Sequence, residues 1–222
     1  MAQQLQLQKE KTTLNEKILA LTGELASTQR ESELKSLALY LGLLTTAVLG
    51  RVALQNVPSV EPILPLAILA GLLFGAKEGF VFGASAYVAS NFFVWGLQGP
   101  WTIFQALGGG LAGLFGGLHR GLGRPSGKAL LALTVFSTLV FEVIMNVSGG
   151  LLGLGLFTGL LGLPMYFLTS LPFSLVHLVT NLGFAKFAEP LLDKGEDHET
   201  KLVSLTRAVN GKRFTVRVLN TK

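Results

Sequence analysis

Arg51, Glu142 and His177 are the residues best placed to do chemistry, because each is an ionisable group in or at the edge of a long apolar stretch. Such groups are expensive inside a membrane, so they face an interior cavity or pair with one another. Counted along its helix, Glu142 falls about two-thirds of the way towards one membrane face, with Asn146 one turn beyond on the same side. Arg51 ends the first apolar segment, and His177 lies mid-way along the last, one turn from Asn181. Gln55, Asn56, Glu61, Asn91, Trp95, Gln98, Trp101 and Gln105 fall in the same half. Together these describe a polar, aromatic-lined pocket open to one face, suited to holding a small molecule. Other readings of the same residues stand beside that one. Trp95 and Trp101 are equally suited to anchoring at the membrane interface. His177 also reads as a packing histidine, Glu142 as an internal partner of Arg51 or His177, and Arg51 and Glu61 as plain interfacial charges.

Motifs of other chemistries are incomplete, and an intramembrane enzyme is only a third reading. Residues 121–129 imitate a phosphate-binding loop, but Leu122 and Ala129 stand where glycine and a hydroxyl residue are needed. Ser174 and His177 lack the glycine-flanked serine of a hydrolase. There is no cysteine, and no His, Asp or Glu cluster has metal-ligand spacing. The chain is therefore expected to be non-catalytic, with no metal and no cofactor.

The elements that must position these residues are apolar helices. Half of the 222 residues are hydrophobic, 27 are glycine and only 14% are charged, against about 25% charged in a soluble domain. Only nine Lys, Arg, Asp or Glu fall between 36 and 187. This predicts an all-α integral membrane protein, a bundle of about six transmembrane helices over 36–54, 63–76, 79–95, 101–118, 129–147 and 165–187, multi-pass in the plasma membrane. The Lys77-Glu78 pair is read as the turn between the second and third, and Gly99-Pro100 as the turn opening the fourth. Residues 148–163, rich in glycine and ending before Pro164, read as a buried loop or dipping segment.

Lys77, His119, Arg120, Arg124 and Lys128, together with Lys35 and Lys186, sort to one side, while the loops around 55–62, 96–100 and 148–164 hold no Lys or Arg. By the positive-inside rule both termini are then cytoplasmic. Three parts follow: 1–35, a polar cytoplasmic helical extension with a short seam at Leu14, Ile18, Leu21 and Leu25; 36–189, the membrane domain; and 190–222, a charged tail with a possible hairpin about Asn210-Gly211. On the first membrane helix Ala38, Gly42, Thr46 and Gly50, with Ala53 beyond, form a face of small residues suited to close helix contact, with a partner or within the bundle.

Several of these features occur together in one family. Arg51 followed by Pro58 and Glu61-Pro62, the helical pair with LLFGAKEGFVFG, the Gly99-Pro100-Trp101 start, Gln105, and Gly109, Gly113 and Gly117 resemble the membrane substrate-binding S-components of energy-coupling factor (ECF) transporters, over about residues 36–190. The resemblance implies six helices that capture a vitamin or related micronutrient from outside. It also implies a separate transmembrane coupling protein and ATPase subunits as partners, with Ala38, Gly42, Thr46 and Gly50 docking to the coupling protein. The chain begins Met1-Ala2-Gln3 and lacks the N-terminal histidine of the nickel and cobalt members, which disfavours a metal substrate. Residues 51–62, stiffened by Pro58 and Pro62, are then expected to be a lid over the pocket. The alternative function is a membrane scaffold whose soluble termini recruit other proteins; neither involves nucleic acid.

Overall fold

The computed structural model describes residues 1–94, 98–123, 125–154 and 156–192. Every regular element among them is an α-helix: α1 (Ala2–Leu54), α2 (Ile63–Phe74), α3 (Ala76–Asn91), α4 (Trp101–Leu122), α5 (Gly127–Leu154) and α6 (Leu156–Ala188). Among the described residues three stretches are long and apolar enough to cross a membrane, Thr22–Leu54, Gly127–Leu152 and Gly162–Ala188.

The polar extension and the first apolar segment are one continuous helix of 53 residues. Its first part, Met1–Leu39, belongs to a compact unit of its own; Tyr40–Gly195 forms the second unit, which carries the site. The seam side chains Leu14, Ile18 and Leu21 lie outside the described residues, as do tail residues 193–222 with the Asn210-Gly211 hairpin.

Within the second unit, α2 is the buried centre. Every residue from Ile63 to Leu72 is buried, as expected of a helix that is apolar all round. The break between α2 and α3 is a single residue, Gly75, and not the Lys77-Glu78 pair, which forms the first turn of α3. Gly75 has φ +117°, a conformation that side chains rarely adopt, and its N–H donates to Gly71 O at 2.9 Å. Glu78 in the first turn of α3 also suits the positive end of that helix better than a turn would.

Glycines bring α3 and α4 close together. A Cβ added to Gly83 would meet Gly109 O at 1.9 Å, and one added to Gly113 would meet Gly79 O at the same distance. Gly71 of α2 enters the same junction against Gly113 and Gly117. Small residues spaced by four along both helices make this approach possible.

The glycine-rich stretch read as a loop is helical where described: α5 continues to Leu154, and α6 begins at Leu156 and carries Pro164 and Pro172 inside it. In an apolar environment a helix satisfies backbone groups that a loop would leave bare. Gly149 packs against Tyr166 and Trp101, so the missing side chains make room for aromatic rings.

Successive helices reverse direction. At one end of the unit Arg51, Asn91, Thr102 and Gln105 meet. At the opposite end Tyr40 donates to Glu78 O at 3.0 Å and Arg120 Nη1 to Leu73 O at 2.7 Å. Arg120 thereby satisfies a carbonyl in the last turn of α2. Arg120→Gln is expected to lose about 1 kcal/mol of stability, read as a lower unfolding midpoint of the detergent-solubilised protein.

Candidate functional site

The site is a chain of buried polar contacts gathered where α1 ends. Arg51, in the last turn of α1, turns its side chain inward: Nε donates to Glu61 Oε2 at 2.6 Å, and Nη1 donates to Ser90 Oγ at 2.8 Å and to Asn91 Oδ1. Its guanidinium also lies over the Tyr87 ring, 5.0 Å from the centroid, a cation–π contact strengthened by burial. Three groups on α3, Tyr87, Ser90 and Asn91, therefore hold one arginine; their i, i+3 and i, i+4 spacing puts them on one face. Asn91 passes the network to α4, donating to Thr102 Oγ1 at 2.9 Å and Gln105 Oε1 at 2.8 Å.

Glu61 is the junction. It lies two residues before α2, in the 55–62 loop, and its carboxylate reaches into the bundle. Oε2 takes the Arg51 bond, and Oε1 accepts from the Tyr87 hydroxyl and lies 3.6 Å from His177 Nε2. On the other side of the imidazole, His177 Nδ1 lies 2.7 Å from Glu142 Oε1. Ser174, one turn earlier on α6, donates to Glu142 Oε2 at 2.5 Å. Phe141 stands edge-on to His177 and stacks on Tyr87, closing the wall between the two halves. The loop is also held by α6, since Thr180 Oγ1 donates to Ser59 O at 3.2 Å.

Of the residues expected at a pocket, Arg51, Glu61, Asn91, Gln105, Glu142 and His177 come together. Asn146 is buried but turns back to its own helix, donating to Glu142 O at 2.9 Å. Trp101 is half-buried against Gly149 rather than in the network. Asn56 is exposed, Gln55 half-buried at the end of α1, and Trp95 lies outside the described residues. The small-residue face of α1 is exposed at Ala38, Gly42, Thr46 and Ala53, while Gly50 packs on Pro62. The neighbouring face, one residue further round, with Leu43, Ala47 and Arg51, is the buried one.

Tyr87, Ser90, Thr102 and the structural use of Ser174 were missed by sequence reasoning. A usable signal existed for the first two, because Tyr87, Ser90 and Asn91 form one polar face on the last turns of α3. Ser174 and His177 share the i, i+3 relation that lets both reach one carboxylate.

A buried array that holds two carboxylates, a guanidinium and an imidazole can bind a polar small molecule or fix the helices. Among the described residues no group of three or more His, Asp or Glu is placed to hold a metal ion; Glu61 and Glu142 lie on opposite nitrogens of His177 and do not converge. Fold and site together define an all-helical membrane protein with an ionisable cluster inside its helical bundle. Compared with protein-family models, curated proteins and solved structures, the chain matches none.

Proposed function

We propose that the chain is the substrate-capturing membrane subunit of an ECF-type uptake transporter, taking a vitamin-like micronutrient from outside and delivering it through a coupling protein and ATPases. In this reading all six helices cross or enter the plasma membrane, both termini are cytoplasmic, and the 55–62 loop covers the site from outside. The observation that carries it is Glu61: a loop carboxylate reaching the Arg51 and His177 side chains makes one residue of the 55–62 loop part of the buried array. A lid that closes on a ligand needs such a link. The exposed small-residue face of α1 supports the partner, because a Cβ at Gly42 meets nothing within 4 Å.

Two measurements test this. Purified protein should retain a small molecule and co-purify with a coupling subunit and ATPases; failure of both, with the partners present, removes the reading. Gly42→Leu should leave the unfolding midpoint unchanged while reducing co-purification at least several-fold, because it adds bulk only to the exposed face.

One observation favours the scaffold reading instead. Arg51 already pairs with Glu61, and Ser174 and His177 already engage Glu142, as in a purely structural cluster. Unchanged partner recruitment after Glu142→Leu, in a protein that retains no small molecule, would favour the scaffold.

A further inference from the structure

The imidazole of His177 poses a proton-counting problem. Its Nδ1 lies 2.7 Å from Glu142 Oε1, so Nδ1 carries the hydrogen, since a carboxylate oxygen can only accept. In a neutral imidazole Nε2 is then a lone pair, and it faces Glu61 Oε1 at 3.6 Å. Two acceptors confront each other inside the bundle, and Nε2 has no hydrogen-bond partner among the described residues. The charge count fails at the same point. With His177 neutral, one guanidinium stands against two carboxylates, leaving one uncompensated negative charge in a low-dielectric interior.

One positive charge carrying hydrogens at Nε2 resolves both defects. A proton on Nε2 does so when the site is empty. A cationic nitrogen of a ligand does so when it is filled, because a single donor atom can lie about 2.9 Å from each of two acceptors 3.6 Å apart. A water molecule could satisfy the hydrogen bonds but not the charge. Accessibility points the same way. Glu61 and Glu142 side chains are 13% and 18% exposed, Arg51 and His177 only 8% and 4%, so an entering molecule meets carboxylate edges first.

We propose that the face shared by His177 Nε2 and Glu61 Oε1 recognises a protonated amine or amidine group, bearing at least two N–H hydrogens, of the captured molecule. This rests on the substrate-capture reading and adds the substrate's chemical class. The group displaces one proton from Nε2: that proton leaves to solvent, the ligand's N–H bonds go to Nε2 and Glu61 Oε1, and no covalent bond changes. The titratable and charged groups facing His177 are Glu142 from α5, Glu61 from the loop and, through Glu61, Arg51 of α1 and Tyr87 of α3. Helix α2 contributes none.

The probes are benzylammonium, benzyl alcohol and benzoate, titrated calorimetrically into the full-length protein in mild detergent. Benzylammonium should bind at least about tenfold more tightly than the other two. About one proton should be released per ligand, seen as a heat that depends on the buffer's ionisation enthalpy. Glu61→Gln should abolish the preference. If that variant fails to fold, the proton release of the unmodified protein decides alone. Equal or stronger binding of benzyl alcohol or benzoate, no benzylammonium binding, or no proton release overturns the proposal. Mass spectrometry of acid-extracted protein separates the two levels: a retained molecule that is neutral or anionic overturns the cation class and leaves capture standing. No retained molecule counts against capture, and the benzylammonium titration still judges the cation site.

Discussion

Arg51→Ala is expected to lower the stability of the second unit by about 3–5 kcal/mol, the usual cost of removing one partner from a buried ion pair. The loss exceeds that of a single contact because Arg51 serves three acceptors. Without it the Glu61 carboxylate keeps only the Tyr87 hydroxyl and the distant His177, and Ser90 Oγ and Asn91 Oδ1 lose their donor. Arg51→Lys should recover only part of the loss, since an ammonium cannot present Nε to Glu61 and Nη1 to α3 in one fixed fork. The informative variant is Arg51→Met with Glu61→Leu. It removes both charges together, and a buried pair replaced by apolar side chains is often neutral in stability. The double variant should therefore unfold at a denaturant concentration well above that of Arg51→Ala. If its midpoint falls as far as the sum of the single effects, the two residues are not coupled and the network is not the unit described.

The same network explains what the sequence could and could not tell. Arg51, Glu142 and His177 stood out because charge is rare in a bundle of this composition, and the cost of burying them required partners. Their partners were harder to read, since Ser90, Thr102 and Ser174 are ordinary helix residues whose hydroxyls turn back to the backbone as readily as across a bundle. Helix existence was legible from apolar length, and α4 begins at Trp101 as the Gly99-Pro100 turn predicts. Boundaries at glycine were not. Gly75 ends a helix while Gly149 and Gly150 continue one, and the difference is tertiary: Gly149 makes room for Trp101 and Tyr166, whereas Gly75 adopts a positive φ. Glycine reads the same in sequence in both roles.

Gly113→Leu should be the most damaging substitution in the glycine seam, because Gly113 touches two helices with backbone on both sides. Its added Cβ would sit 1.9 Å from Gly79 O and 2.3 Å from Gly79 C, and Gly71 approaches its own carbonyl from α2. Backbone atoms cannot swing away as a side-chain end can, so α3 and α4 would have to draw apart along their length. Gly113→Ala already carries that clash and should cost about 1–3 kcal/mol or more; leucine adds volume that the junction has no room to take. The effect should reach the site, since the Asn91 bonds to Thr102 and Gln105 span the same two helices. Separating the helices stretches those bonds, frees the Asn91 side chain and loosens its grip on Arg51. Gly113→Ala is thus expected to lower both the unfolding midpoint and small-molecule retention, while Gly42→Ala, which meets nothing within 4 Å, changes neither. Were Gly113→Ala to unfold at the same denaturant concentration as the parent, the close approach of α3 and α4 could not be what holds the site in register.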